Sequence, residues 1–156
     1  MKQQIQIKLL NDKAKLPTKS NEFAAGYDVV ATSITHTERY IEYGLGFSTE
    51  IPQGYVGRIY PRSSISNYDL TMCNSVGTID SDYRGEWKVR FKLAAPNFIF
   101  LDAEHIDESN MPDKLYQVGD KIAQISFEKL TDVEFIEAES LLETERGDGG
   151  FGSTGN

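Results

Sequence analysis

The stretch Trp87-Lys88-Val89-Arg90-Phe91-Lys92-Leu93 alternates apolar and charged residues one for one. A period of two places every apolar side chain on one face of an extended strand, a pattern that a helix cannot use. Residues 4–9, Gln-Ile-Gln-Ile-Lys-Leu, repeat it more weakly. Short apolar segments at 55–60, 70–73 and 122–127 follow Gly, Pro or Asp signals such as Ile51-Pro52-Gln53-Gly54 and Val118-Gly119-Asp120. Many short strands divided by turns predict an all-β barrel or sandwich. Helix signals are sparse: 63–68 has room for a turn or two, and 132–142 lacks a 3.6-residue period. Residues 95–117 break the pattern and read as a long excursion between two core strands.

A chain of 156 residues is sized for one domain. We expect a domain over 1–145 and a glycine-rich arm over 146–156, where eleven residues hold five glycines. The net charge of −8 argues against a protein that grips nucleic acid through its phosphates. A phosphorylated small molecule remains open, provided that a metal ion or a few local cations offset the repulsion. The single cysteine, Cys73, has no intramolecular disulfide partner and, beside Met72, reads as a buried thiol. His36 and His105 have no metal-ligand spacing and read as surface residues. With no secretory signal and no apolar run near 18 residues, the expectation is an intracellular protein, cytoplasmic or nuclear, without a membrane partner.

Five short segments carry chemistry. They are Ala24-Ala25-Gly26-Tyr27-Asp28, Pro61-Arg62-Ser63-Ser64, Gly77-Thr78-Ile79-Asp80-Ser81-Asp82-Tyr83-Arg84-Gly85, Gly119-Asp120-Lys121-Ile122-Ala123-Gln124, and the glycine-rich run from Arg146 to Gly155. Taken singly, each has an ordinary reading: Asp28 as a turn or helix-cap residue, Asp80 as a turn former, Tyr83 as core. Beside these, Arg62 and Ser63 at the start of a helical turn supply donors where anions are favoured. Asp82, two residues from Asp80, points to the same side if that segment stays extended.

In this order, over nearly the whole chain, the five segments resemble the motifs of the trimeric dUTPase family. The resemblance implies a jelly-roll-like β-barrel, a homotrimer with shared sites, and Mg²⁺-dependent hydrolysis of dUTP to dUMP and pyrophosphate. It implies that residues 74–79, including Asn74, Gly77, Thr78 and Ile79, read the uracil edge from a hairpin. Tyr83 packs on the deoxyribose, and Asp80 activates the attacking water. Arg62, Ser63, Ser64 and Gln124 meet phosphates. Asp28 holds Mg²⁺ through water. Arg146 meets the γ-phosphate, and Phe151, Gly152 and Ser153 close over the nucleotide. Two positions depart from the family's commonest pattern: Ser64 stands where glycine is usual, and Lys121 replaces arginine, keeping charge but losing the bidentate fork. Two alternatives stay open. One is a dCTP deaminase-like enzyme, which shares an Arg-Ser-Ser element. The other is a nucleotide-binding regulatory module that docks a partner through the 95–117 excursion.

Overall fold

The computed structural model describes residues 3–94 and 114–150. Among the described residues ten strands run β1 Gln6–Leu9, β2 Tyr27–Val30, β3 Ser33–His36, β4 Ile41–Gly44, β5 Phe47–Glu50, β6 Tyr55–Pro61, β7 Leu70–Met72, β8 Gly77–Ile79, β9 Lys88–Leu93 and β10 Lys121–Lys129. One 3₁₀ turn, Ser63–Asn67, follows β6. The all-β expectation holds, and the helical signal at 63–68 is this single turn. Among the described residues no helix is long and apolar enough to cross a membrane.

Two four-stranded antiparallel sheets, ordered β2-β10-β6-β8 and β3-β4-β9-β7, enclose one core, and β1 pairs with β5 beside them. The alternation that predicted β9 is realised residue by residue. Val89 and Phe91 point inward at 1% and 0% exposure, while Lys88, Arg90 and Lys92 face out. Across the register, Tyr43 and Ile41 of β4 meet Val89 and Phe91, and Glu42 meets Arg90 on the outer face. From the opposite sheet Val29, Ile59, Ile122 and Ile125 complete the core. Trp87 is fully buried, its indole N–H donating to the Thr49 hydroxyl at 3.1 Å. Its ring lies against Gly57, where an added Cβ would sit 2.6 Å from a ring carbon. A glycine in mid-strand is thus explained by the aromatic it accommodates.

Several expectations need correction. The segment read as a hairpin is not one: β7 pairs with β9 and β8 with β6, so residues 73–76 cross from one sheet to the other. Cys73 is exposed, because Met72 takes the inward position and a period of two sends its neighbour out. His36 is half-buried in β3, and its Nδ1 is enclosed without a hydrogen-bond partner among the described residues. Strands β2 to β5 were hidden by their length, four residues each. Residues 130–150 form neither helix nor strand and carry bare apolar side chains, with Phe135 94% and Leu142 95% exposed. His105, most of the 95–117 excursion, and Phe151, Gly152 and Ser153 lie outside the described residues.

Candidate active site

Two clusters form where the segments meet. The first is built around Asp28. Strand β2 lies antiparallel to β10, placing Asp28 opposite Gln124, and β6 on the other side of β10 ends at Pro61, just before Arg62. The Asp28 carboxylate is buried, with 3% of its side chain exposed. It accepts hydrogen bonds from Arg62 Nε at 3.0 Å, Gln124 Nε2 at 3.0 Å and Lys121 Nζ at 2.9 Å. Burial alone raises the pKa of this carboxyl. The bonds from Lys121 and Gln124 and the charges of Arg62 and Lys121 more than offset that, leaving it lowered. Asp28 is therefore a strand residue and a clamp, not a turn or cap.

That clamp fixes the donors of the phosphate segments. Arg62 also reaches the Ser64 hydroxyl and the Lys121 carbonyl, both at 3.4 Å through Nη1. Ser63 is exposed at the mouth of the 3₁₀ turn, and Lys121 leaves nearly half its side chain in solvent. Two of the positive charges in this acidic chain are thus held together beside an exposed serine.

The second cluster is a cleft of about 400 Å³, bordered by Asn74, Thr78, Ile79, Asp80 and Tyr83 together with Cys73, Glu86, Trp87, Lys88 and Arg90. The crossover 73–76 brings Asn74 to it, with Ser75 in the left-handed region at φ 51°. Such a conformation in a non-glycine residue costs energy and recurs at functional turns. Gly77 is needed at the start of β8, since a Cβ there would crowd Ile59 and the Asn74 amide at 3.2 Å each. Thr78 accepts from Arg58 Nη1 at 2.7 Å across the β6–β8 register.

Asp80 follows β8 at the head of a tight turn, its carbonyl accepting from the Tyr83 N–H at 3.2 Å. Arg84 staples this turn by donating to the Ser81 carbonyl at 2.7 Å, and the Tyr83 hydroxyl donates to the Glu86 carbonyl at 3.1 Å. The Asp80 carboxylate is exposed to the cleft and takes no hydrogen bond from another described residue. The turn separates it from Asp82, which faces a different depression with Gln4, Glu50 and Arg84. The extended-segment relation between the two aspartates is therefore broken.

The cations at the cleft escaped the sequence reading. Lys88 and Arg90 both bond to Glu42, at 2.6 and 2.8 Å. Burial raises the Glu42 pKa, and those two bonds more than offset it. The signal was present in the β9 alternation, which sets both residues on one outer face. None of Asp28, Arg62, Ser64, Lys121 and Gln124 borders the cleft. Arg146 does not border the cleft, and its Nε donates to the Gly149 carbonyl at 2.9 Å within a local turn.

The described residues contain no group of three His, Cys, Asp or Glu side chains able to hold a metal ion. Mg²⁺ keeps several waters and binds through substrate phosphates with few protein carboxylates, so a single carboxylate such as Asp28 is the residue to test against its water shell. Asp28 has accepted three bonds of the roughly four that a carboxylate can take, so one position remains for a water.

A family model described as dUTPase matches residues 12–103 and 110–155. Proteins called deoxyuridine 5'-triphosphate nucleotidohydrolase are 37% identical in Helicobacter pylori (strain P12), covering 97% of this chain and 96% of the relative. In Nautilia profundicola the identity is 38%, covering 97% and 98%. The fold is shared with the dUTPase of Staphylococcus bacteriophage 80alpha solved with dUPNHPP, at a TM-score of 0.73 and 24% identity, covering 99% of this chain and all of that one. With most of its length matched by the family model and by relatives above one-third identity, the chain belongs to the dUTPase family.

Proposed function

We propose that this protein hydrolyses dUTP to dUMP and pyrophosphate by attack of water on the α-phosphorus, supplying dTMP precursor and keeping uracil out of DNA. The observation that carries the reading is Asp80: a carboxylate with no hydrogen-bond partner among the described residues, at the edge of a nucleoside-sized cleft, in a family of dUTP hydrolases. A base must keep an open lone pair for the proton that it takes, and Asp80 does. Deprotonation of water there yields the hydroxide equivalent that forms the new P–O bond. Pyrophosphate leaves, and Asp80 returns its proton to solvent.

The crossover 73–76 and β8 read uracil through the backbone of residues 74–79. Cytosine would turn an amino group toward a donor that uracil O4 satisfies, and leaving buried donors unpaired discriminates strongly. Tyr83, held by its bond to Glu86, packs on the deoxyribose. Arg62, Ser63, Ser64 and Gln124 hold the α- and β-phosphates. Arg146 brings its fork to the γ-phosphate, while Phe151 stacks on the base with Gly152 and Ser153 wrapping the ligand. Mg²⁺ would be held by the substrate phosphates and, through water, by Asp28, and would supply charge neutralisation.

A homotrimer with sites shared between subunits suits this division. In one subunit the described residues assigned to phosphate lie outside the cleft that holds Asp80, which supports a site completed by a second subunit. The bare apolar side chains of residues 130–142 ask for a partner surface, and a neighbouring subunit would cover them. Pyrophosphate release from dUTP, dTTP, dCTP and UTP with Mg²⁺ tests the reading. Cleavage of dUTP alone supports it; ammonia release from dCTP would point to the deaminase instead.

A further inference from the structure

The backbone of Tyr83 is fixed by the turn that carries Asp80. Its N–H donates to the Asp80 carbonyl at 3.2 Å, and its own carbonyl accepts from Arg84 Nη1 at 3.2 Å. What remains open is the direction of the side chain, which borders the cleft and is 43% exposed. Two neighbours settle it. The hydroxyl donates to the Glu86 carbonyl at 3.1 Å. That carbonyl is held from both sides: the Glu86 carboxylate accepts from the Gly46 N–H at 2.8 Å, and the Trp87 N–H donates to the Phe47 carbonyl at 2.9 Å. To reach it the ring lies back across Gly85. An added Cβ there would stand 2.5 Å from Tyr83 Cζ and 2.9 Å from Cε2, and nearer still to the hydroxyl. Non-bonded carbons settle about 3.5–4.0 Å apart, so a side chain at 85 and this ring position exclude each other. The backbone makes no separate demand for glycine, since Gly85 is outside the left-handed region that Gly46 occupies at φ 70°. Beyond its chain neighbours, the three atoms nearest to the added carbon all belong to Tyr83. The glycine is explained by the ring it accommodates.

We propose that Gly85 is a positioning residue for Tyr83 and, through it, sets selectivity for the sugar: its bare Cα lets the ring fold back onto the Glu86 carbonyl, the pose that shuts out a 2′-hydroxyl. This rests on the reading that Tyr83 packs on the deoxyribose. A methyl group at 85 drives the ring out of that pose. The displaced group is a partly exposed side chain, so it swings into solvent at little cost to the fold, and its hydroxyl bonds water instead. The damage falls on recognition. A tethered ring is a fixed wall against the sugar, whereas a loose one yields to an extra oxygen and must also be ordered when dUTP binds. Gly85 does not itself border the cleft, so the methyl group acts on a nucleotide there only by way of Tyr83.

The test is Gly85→Ala made in the wild type and in Tyr83→Ala, reading kcat/KM for dUTP and for UTP, the thermal midpoint, and the ring position in a crystal structure of Gly85→Ala. In the wild-type background the ratio of dUTP to UTP should fall by about tenfold, the low end of what a fitted pocket contributes to discrimination. The midpoint should not shift, and the Tyr83 hydroxyl should leave the Glu86 carbonyl. A ratio of two substrates on one protein is unmoved by a lower folded fraction, so a purely structural role would not change it. In the Tyr83→Ala background Gly85→Ala should leave the ratio as it is. An unmoved ring, equal drops in both backgrounds, or a Gly85→Ala protein that fails to fold would overturn the proposal. So would a ratio that Tyr83→Ala lowers and Gly85→Ala does not. A displaced ring with the ratio unchanged in both single variants would instead refute the sugar contact of Tyr83, and with it the selectivity, while bearing out Gly85 as the seat of the ring.

Discussion

Asp28 and Asp80 are both aspartates of motif segments, and their surroundings are opposite. Asp28 is buried, lies within a strand and is bonded to three side chains. Asp80 is exposed, follows the end of a strand and has no side-chain partner among the described residues. The first is spent on holding Arg62, Lys121 and Gln124 in place before any ligand arrives, which is preorganisation for an anion. The second is left open, as a group that must accept a proton from water has to be. Position in the motif alone does not separate these roles, but burial and saturation do.

The contrast can be broken first at Asp28. Asp28→Ala should destabilise the fold by about 2–3 kcal/mol, because it removes a buried acceptor of charged hydrogen bonds. It should also raise KM for dUTP, since Arg62 and Gln124 lose their anchor. Chemical denaturation with parallel kinetics checks both; unchanged stability would mean that the clamp is ornamental.

Acid sharpens the same point with a smaller effect. The folded-state pKa of Asp28 is lowered, so its stabilising contribution is fully present above the unfolded aspartate value of about 3.9. That contribution is lost as pH falls through the lower folded value. Stability measured from pH 6 down to about 2 should therefore decline more steeply in the wild type than in Asp28→Asn. Parallel curves would show that another carboxylate dominates the acid limb.

The smallest change is Lys121→Arg. Lys121 bonds Asp28 through one nitrogen and leaves nearly half its side chain exposed. A guanidinium could hold Asp28 and offer a second edge to phosphate. We expect KM to fall by no more than about threefold with stability within about 0.5 kcal/mol. A rise in KM would mean that the lysine is better fitted than the fork.

How legible this was in the sequence varied with the kind of signal. Strand β9 could be read residue by residue, because alternation is a local property and its inward face is the core. The crossing of 73–76 between sheets could not, since only long-range pairing distinguishes it from a hairpin. The motif segments pointed to Asp28, Arg62, Lys121 and Gln124 one by one, but not to their convergence on a single carboxylate. That convergence depends on β10 lying between β2 and β6. The exposure of Cys73 follows from strand parity, with Met72 inward, and an apolar neighbour does not reveal parity.

The division of labour is tested most directly by turnover and nucleotide binding in Asp80→Asn, measured beside its thermal midpoint. The account predicts pyrophosphate release slowed by about 10²–10⁴. It also predicts an unshifted midpoint and near-wild-type affinity for a non-hydrolysable dUTP analogue, because Asp80 supports neither the fold nor the phosphate clamp. Turnover at the wild-type rate would contradict it, and the base would have to be sought elsewhere.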